Sequence, residues 1–343
     1  MSARISELDE DVRAFARQQG ADLYGVAPVE TCTEYRQEVE GRMVETSATH
    51  VDFMIRPEDS GHFDRISDAR RTLPSAQAVI VLGIYAYDTK TVEPQTAGPL
   101  RGKIARTYVY YPAVRRIGEA VADFLRERGH EAVQGQDVPL KYVAARIGLG
   151  CYGKNGILLT PEFGSYVALR SVITEAPLKP TPSQIANVCK NCDRCLKACP
   201  TGALYAPYKV NPRLCINPLT RRSEPIGPEV RTRMGNWVRG CDICQEVCPV
   251  NRRLTPRQPD PRARYEPQNH QTHRGLGGLE RFPALFDLLG PDRSEELRRH
   301  AAIALANTAK GNEEALDTLR KQIDSCTDTL RPYFEWAIDT IST

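Results

Sequence analysis

The chain has 343 residues, which is enough for two domains or for one domain with appendages. Its composition, 41% hydrophobic and 26% charged, is that of an ordinary globular protein. The net charge of +3 is too small to indicate nucleic-acid binding by itself. No run approaches the roughly 18 apolar residues of a membrane span, and the N-terminal MSARISELDEDVRAF is acidic and amphipathic, unlike a secretory signal. We therefore expect no membrane association.

The chain up to about residue 178 predicts a domain that mixes helices and strands. Apolar residues at helical spacing predict helices over 5–20, 112–129 and 139–147. Short apolar runs predict strands at 22–28, within 75–87, at 157–160 and at 165–174. Because the two kinds of element are interleaved, we expect an α/β or α+β domain.

The rest of the chain changes in composition. PLKPTPSQ at 177–184 is a proline-rich boundary, and residues 251–274 are rich in proline and arginine. From residue 294 on, apolar residues at i, i+4, i+7 and i+8 predict short helices typical of a small helical-repeat cap. We expect three parts: an α/β domain at 1–178, a cysteine-rich domain at 179–252, and a basic linker with a helical cap at 253–343.

Cysteine is the informative residue type. There are eleven, and eight of them lie between residues 189 and 248. The odd total and the tight clustering argue against a disulfide framework and favour metal ligation in a reducing cytoplasm. The stretch CKNCDRCLKACP has the spacing C-x2-C-x2-C-x3-C-P, the bacterial ferredoxin pattern, in which the fourth cysteine ligates a second cluster.

A second motif completes two ligand sets. CDICQEVCP repeats C-x2-C-x3-C-P with one cysteine fewer, and Cys215 supplies the missing thiolate. We therefore assign two 4Fe-4S clusters, one held by Cys189, Cys192, Cys195 and Cys248, the other by Cys199, Cys215, Cys241 and Cys244. The alternative is a pair of zinc sites with four cysteines each, which the two C-x3-C-P endings disfavour. Cys32, Cys151 and Cys326 remain as ordinary thiols.

The stretch RIGLGCYGKNG at 146–156 contains a G-x-G-x-x-G pattern. A dinucleotide-binding turn must follow a strand and begin a helix. Here a predicted helix precedes the glycines and a predicted strand follows them, which argues against that interpretation. We expect instead that the glycines bring the backbone close to a bulky ligand, with Lys154 and Asn155 as polar contacts.

At this point the sequence resembles a known family. GKIAR (102–106), GLGCYGKNGILL (148–159), PEFGSYVALRSVITEAPL (161–178), the ferredoxin motif and MGNWVRGCDICQEVCPVN (234–251) resemble the epoxyqueuosine reductases in order and spacing. The resemblance implies a cobalamin-binding α/β domain, two 4Fe-4S clusters and a C-terminal HEAT-like cap. It also implies relatedness to reductive dehalogenases and removal of the epoxide oxygen of epoxyqueuosine in tRNA.

The resemblance also implies which residues surround the cofactor. Matched by position, the candidates for corrinoid contact are Arg106, Gly148, Gly150, Cys151, Gly153, Lys154, Asn155, Ser165 and Tyr166. Cys151 stands where the family has a tryptophan, so the chain departs from the family's pattern within this loop.

The proton donor has three candidates. The family carries an aspartate in a V-D-S/T-G-P context, whereas this chain has VQGQDVPLK, which places Asp137 about three residues closer to the glycine loop. Tyr110 and Tyr111 are rival acids, because a phenol can donate a proton. The alternative roles are a helix N-cap for Asp137 and simple packing for the two tyrosines.

Three functions are therefore weighed. The first is reduction of epoxyqueuosine in tRNA, the second is corrinoid-dependent reduction of another small electrophile, and the third is electron transfer or corrinoid handling without catalysis. A tRNA anticodon stem-loop would contact arginines of the 251–274 segment, which otherwise form a solvated linker. The candidates are Arg252, Arg253, Arg257, Arg262 and Arg264. We expect an external low-potential electron donor, a cytoplasmic location and a monomer.

Overall fold

The computed structural model describes residues 2–37, 66–92, 100–135, 138–181, 187–259 and 281–343. The described strands, in chain order, are β1 (Leu23–Pro28), β2 (Ala78–Tyr85), β3 (Lys103–Ile104), β4 (Ala132–Gly135), β5 (Cys151–Tyr152), β6 (Leu158–Leu159), β7 (Val167–Thr174), β8 (Leu204–Ala206), β9 (Lys209–Val210) and β10 (Trp237–Arg239). The described α-helices are α1 (Ser2–Gln18), α2 (Arg106–Arg126), α3 (Leu140–Arg146), α4 (Arg194–Ala198), α5 (Ile216–Leu219), α6 (Pro228–Arg233), α7 (Ile243–Glu246), α8 (Glu295–Thr308), α9 (Glu313–Ile323) and α10 (Arg331–Ser342).

A four-stranded sheet organises the first part of the molecule. Its strand order is β1-β2-β7-β4, and every neighbouring pair is antiparallel. Of the two predicted fold classes, α/β and α+β, the domain therefore belongs to the α+β class. All eight residues of β2 are buried, because helices or loops cover both faces of this central strand.

Two layers cover the sheet. On one face α1 and α2 pack against the even-numbered side chains of β2, such as Ile80 and Leu82. On the other face α3 and the segments around Val29 and Leu73 pack against the odd-numbered ones, such as Val79. The amphipathic stripe predicted for α2 is confirmed, because the side chains that form it are buried in the first of these layers. Its members are Val114, Ile117, Val121 and Leu125.

Helix α2 begins six residues before its predicted start. The prediction placed the start at Pro112, a residue that favours the first turn of a helix. The structure starts the helix at Arg106 and includes Pro112 inside it. The backbone N–H of Arg106 donates to the carboxylate of Asp242 at 2.9 Å, so a distant residue satisfies the free helix terminus. Local sequence could not reveal this cap.

The cysteine-rich segment consists of short elements attached to the first domain. Helices α4, α5, α6 and α7 have four to six residues each, and β8 pairs with β9 in a small hairpin. Strand β10 pairs in parallel with β3, which precedes α2. Backbone hydrogen bonds therefore join the segment to the α+β domain.

The C-terminal helices share a core with the preceding parts. Leu305 of α8, Leu319 of α9 and Phe334 of α10 are buried in one cluster with Ile104 and Val238. The helices were predicted correctly from residue 294 on. Residues on both sides of the predicted boundary at 252 contribute to this core, so the cap packs directly on β3 and β10. Within the described ranges, no helix is long and apolar enough to cross a membrane.

Candidate functional site

The clustered cysteines fall into two sets of thiols that influence one another's charge. The thiol of Cys189 interacts electrostatically with those of Cys248, Cys151 and Cys192, and Cys195 interacts with both Cys189 and Cys248. In the second group Cys215 interacts with Cys199 and Cys241, while Cys244 interacts with Cys241 and Cys215. We call these the first quartet (Cys189, Cys192, Cys195 and Cys248) and the second quartet (Cys199, Cys215, Cys241 and Cys244). Cys244 also interacts with Cys195, so the quartets are neighbours.

Burial makes these thiols hard to ionise without a cation. It raises the pKa of Cys195 and of Cys215 to about 11, and that of Cys244 well above its usual value. Repulsion from the neighbouring thiols adds to the effect in each case. Thiolates at these positions are therefore stabilised by positive charge, which iron or another thiophilic metal supplies.

Lys154 ties the glycine loop to the segment that carries the first quartet. Its Nζ donates to the carbonyl oxygens of Lys190 and Cys192 at 2.7 and 2.9 Å. The side chain of Asn155 is buried, and its Oδ1 accepts from the backbone N–H of Ile157 at 3.2 Å. The side chain of Lys154 is thus committed to a cysteine segment, and corrinoid contact by either residue stays a prediction.

A buried ion network joins the start of α2 to the second cysteine motif. Arg106 Nη1 lies 3.1 Å from Asp242 Oδ2 and 3.1 Å from Glu246 Oε1. Arg281 binds the same two carboxylates, at 3.3 Å and 2.8 Å. Asp242 is fully buried, and burial raises its pKa while the two guanidinium groups act in the opposite direction. The network holds a negative charge between Cys241 and Cys244.

Arg106 also stacks on aromatic rings. Its guanidinium carbon lies 4.5 Å from the ring centroid of Tyr166 and 5.2 Å from that of Tyr87. Its Nε is buried and has no hydrogen-bond partner among the described residues. Two residues predicted at the cofactor, Arg106 and Tyr166, are therefore in contact, and one buried donor remains for a ligand.

Ser165 belongs to a second buried network. Its Oγ donates to Gln245 Oε1 at 2.8 Å and accepts from Asn251 Nδ2 at 2.7 Å. Gln245 Nε2 in turn donates to Asp242 Oδ1 at 2.7 Å. The polar atoms of Ser165 thus bind the segment that carries Cys244 and Cys248, and its corrinoid contact stays a prediction.

The three candidate acids have different settings. The hydroxyl of Tyr110 donates to the buried carboxylate of Asp88, and burial together with this bond raises its pKa. Tyr111 is half-buried beside the ring of Tyr108. Asp137 lies outside the described residues, between the end of β4 at Gly135 and the start of α3.

The glycine pattern has local explanations. Gly148 has a φ of +72° directly after α3, and Leu149 N–H bonds back to Ala144 O at 3.0 Å, which is a helix C-cap. A Cβ on Gly150 would lie 2.5 Å from the carbonyl oxygen of Leu159. Helix α3 precedes the glycines, and Cys151 begins β5, which pairs with β6. The order excludes the dinucleotide turn, as predicted, and these two glycines serve the cap and the hairpin.

Four residues of these buried networks were not predicted from the sequence: Asp242, Gln245, Glu246 and Arg281. The first three lie inside the second cysteine motif, in which the cysteines are the recognisable ligands. An acidic residue between two cluster ligands was the available signal, because a buried negative charge needs partners. Their partners Arg106 and Arg281 come from distant segments, so only the fold reveals the pairing.

The site matches known proteins at two levels. A family model described as a 4Fe-4S double cluster binding domain matches residues 188–251, which makes the protein an iron–sulfur protein with two cluster sites. An epoxyqueuosine reductase of Bacillus subtilis (strain 168) is 30% identical over 242 residues, which span 68% of this chain and 60% of the relative. The aligned part is thus less than two thirds of that relative's length.

Solved structures show the same likeness. A Bacillus subtilis epoxyqueuosine reductase, with its catalytic aspartate loop swung out of the active site, superposes with a TM-score of 0.77 at 26% identity, covering 98% of this chain and 91% of that one. An epoxyqueuosine reductase with an epoxyqueuosine-modified tRNA stem loop gives a TM-score of 0.77 at 25% identity, with the same coverage of 98% and 91%. The chain thus resembles epoxyqueuosine reductases in sequence over 68% of its length and in fold over 98% of it.

Proposed function

We propose that the protein is a cobalamin-dependent iron–sulfur reductase that converts epoxyqueuosine to queuosine in tRNA. The observation that carries this proposal is the likeness over 98% of the chain to an epoxyqueuosine reductase crystallised with a modified tRNA stem loop. Removal of the epoxide oxygen takes two electrons and two protons, and it releases the oxygen as water. The chain must therefore hold an electron path and a proton donor.

The two quartets provide the electron path. Each holds one 4Fe-4S cluster in this proposal, because each brings four thiolates together and the family model covers both. The thiols of Cys195 and Cys244 lie near enough to interact electrostatically, which supports electron exchange between the clusters. An external low-potential donor supplies the electrons.

Arg106, Tyr87 and Tyr166 would hold the cobalamin. The buried Nε of Arg106 lacks a partner among the described residues, and the amide carbonyls around a corrin ring are hydrogen-bond acceptors. When bound, cobalamin supplies a cobalt centre that accepts and delivers electrons. The loop at Gly148, Gly150, Cys151 and Gly153 would approach it through its backbone.

Asp137 is the proposed proton donor. It lies before the glycine loop as the family's aspartate does, although about three residues closer to that loop, and the Bacillus subtilis relative has a catalytic loop that carries an aspartate. Tyr110 is the weaker candidate, because its hydroxyl proton is directed at Asp88 and burial opposes its ionisation. Tyr111 remains the alternative on the same helix.

The tRNA contacts would come from the basic segment and from the helical cap, which we propose to be HEAT-like. Arg252 and Arg253 are exposed, whereas Arg257 bonds to Asp22 at 2.7 Å and to the carbonyl oxygen of Tyr85 at 3.0 Å. Arg262 and Arg264 lie outside the described residues. We further propose that the protein is a monomer in the cytoplasm and that its domain boundaries lie at residues 178 and 252.

A direct assay tests this function. The protein is purified anaerobically, reconstituted with clusters and cobalamin, and incubated with a chemical reductant and an epoxyqueuosine-containing tRNA stem-loop. We expect the modified nucleoside to lose the mass of one oxygen atom, and omission of cobalamin to abolish the conversion. An unchanged nucleoside with a fully loaded protein would refute the proposal.

A further inference from the structure

The exposed large apolar side chains are concentrated in the cysteine-rich segment. Among the described residues four such side chains are exposed, and three of them, Val188, Tyr205 and Tyr208, belong to this segment. The fourth, Val92, belongs to the α+β domain. Exposed aromatic and apolar side chains that lie together are typical of a surface that binds another molecule.

Hydrogen bonds hold these side chains beside the first quartet. The side chain of Asn187 donates to the hydroxyl of Tyr208, so the residue before Val188 is joined to the turn between β8 and β9. The backbone N–H of Tyr208 donates to the carbonyl oxygen of Lys154 at 2.8 Å. Lys154 Nζ in turn donates to the carbonyl oxygen of Cys192 at 2.9 Å. The turn is therefore attached to the ligand loop of the first quartet.

Tyr208 has an unfavourable backbone conformation. Its φ is +65°, and no other non-glycine residue among those described has a positive φ. Pro207 precedes it, and proline followed by a residue with positive φ fits a type II turn, in which glycine is the unstrained residue. An exposed tyrosine thus stands where the backbone favours glycine, and strain of this kind is typical of functional positions.

The surroundings of this turn are positively charged. Residues 187–213 contain five lysines or arginines and one acidic residue, Asp193. All five basic residues are exposed, and Asp193 is bound to one of them, Lys197, at 3.0 Å. Lys209 directly follows Tyr208, and Lys190 lies in the ligand loop of the first quartet. A partner for this surface should therefore carry negative charge.

We propose, on the basis of the reductase function above, that Val188, Lys190, Tyr205, Tyr208 and Lys209 form a donor patch that docks an acidic one-electron carrier protein. The reduced carrier loses one electron to the cluster of the first quartet and leaves in its oxidised form. Two such encounters supply the two electrons for one epoxide. Electron transfer between proteins requires that the redox centres come close, and the donor patch adjoins a ligand loop. Small, salt-sensitive interfaces are typical of such encounters.

The test is stopped-flow mixing of the cluster-loaded protein with reduced flavodoxin, a small acidic one-electron carrier. The visible band of the flavin radical reports its one-electron oxidation and gives a second-order rate constant. We expect Tyr208→Gly and Lys209→Glu each to lower this constant by about tenfold, since one variant loses an aromatic contact and the other reverses a charge. Dithionite, which needs no docking surface, should still reduce both clusters fully in each variant.

The 89–92 turn of the α+β domain offers matched controls. Lys90 and Val92 are exposed there, and we expect wild-type rate constants in Lys90→Glu and Val92→Ala. An equal fall in Lys90→Glu would show that only net charge matters and would overturn the inference. Tyr208→Gly should keep or raise the thermal unfolding midpoint, because glycine adopts a positive φ without strain. A lower midpoint with loss of clusters would show a structural role for Tyr208 and would also overturn it.

The remaining outcomes separate the donor patch from the function on which it rests. Wild-type rate constants in both Tyr208→Gly and Lys209→Glu overturn the donor patch and leave the reductase proposal intact. Weaker binding of the tRNA stem-loop or loss of bound cobalamin, with unchanged flavodoxin rates, assigns the surface to that ligand and also overturns it. A wild type that dithionite reduces and flavodoxin does not excludes an acidic carrier. Absence of two reducible clusters in the wild type refutes the reductase proposal itself.

Discussion

The carboxylate of Asp242 accepts a hydrogen bond from the backbone N–H of Arg106 at 2.9 Å, although 136 positions separate the two residues. The bond caps the long helix of the α+β domain, where a negative charge is favourable. Because Asp242 stands between Cys241 and Cys244, the same residue ties that helix to the second quartet. Formation of the cluster site and of the helix start are therefore coupled.

Removal of Asp242 should destabilise the protein strongly. Asp242→Ala leaves the buried guanidinium groups of Arg106 and Arg281 with only the partly exposed Glu246 as a shared carboxylate, and we expect a loss of about 3–5 kcal/mol in the free energy of unfolding. Asp242→Asn keeps an acceptor for the helix cap and should lose less. Chemical denaturation of the reconstituted protein measures both. Glu246→Gln is the control, because the Glu246 carboxylate is 35% exposed and should contribute less. A loss below about 1 kcal/mol in Asp242→Ala would contradict the coupling.

Removal of one cysteine ligand should cause loss of the whole cluster that its quartet binds. Cys189→Ser removes one thiolate of the first quartet, so we expect about half of the bound iron and sulfide to be lost. Cys326→Ser is the matched control, because Cys326 is a buried thiol of the helical cap that bonds to Ile323 O at 3.1 Å. Iron and sulfide analysis after anaerobic reconstitution measures both. Full cluster content in Cys189→Ser would disprove the ligand assignment.

The buried thiol of Cys32 should make the free energy of unfolding depend on pH in the alkaline range. Burial raises its pKa from 9.0 to about 12, and the charge of Asp68 adds to this. The folded state therefore keeps the thiol neutral, so its contribution is complete below pH 9.0 and is lost as the pH rises toward about 12. The free energy of unfolding of the wild type should therefore fall by up to about 1.4 kcal/mol per pH unit in this range. Cys32→Ala should lack this part of the fall when unfolding in urea is measured at several pH values. A difference from wild type that does not vary with pH would rule this out.

The proton donor can be assigned by paired variants. We expect Asp137→Asn to reduce turnover of the epoxyqueuosine stem-loop by about 10²–10⁴-fold. Tyr110→Phe should keep most of the turnover but lower stability by about 1–3 kcal/mol, because buried Asp88 loses its phenol donor. Tyr111→Phe tests the remaining candidate on the same helix, and we expect it to keep most of the turnover. The opposite pattern, with turnover lost only in Tyr110→Phe, would transfer the role to the tyrosine.

Binding of tRNA should depend on the exposed arginines of the basic segment. Arg252→Ala and Arg253→Ala should each reduce the slope of log affinity against log salt by about one. Arg257→Ala is a control from the same segment, since its guanidinium is bound to Asp22 and Tyr85. We expect it to alter stability and leave the salt slope unchanged. Filter binding of the stem-loop over a salt series gives the slopes. If all three variants keep the slope of the wild type, the segment does not contact the tRNA.

The sequence by itself determined most of the elements and grouped the cysteines into two predicted ligand sets. Three strands of the sheet, β1, β2 and β7, and the helices that cover it followed from apolar runs and periodicity, because burial on one face imposes a fixed spacing, whereas β4 was not predicted. The cysteine spacing grouped eight thiols into two sets, because neighbouring ligands on a short turn reach the same cluster. The order of elements around Gly148 also excluded a dinucleotide turn.

Only the tertiary structure decided how these parts are joined. The cap of Asp242 on Arg106 and the bond of Ser165 to Gln245 each link residues from separate segments. A polar contact between distant residues leaves no periodic pattern in the chain, since each partner needs only a single suitable side chain. For this reason the glycine loop by itself could not reveal that Lys154 bonds to the carbonyl oxygens of Lys190 and Cys192.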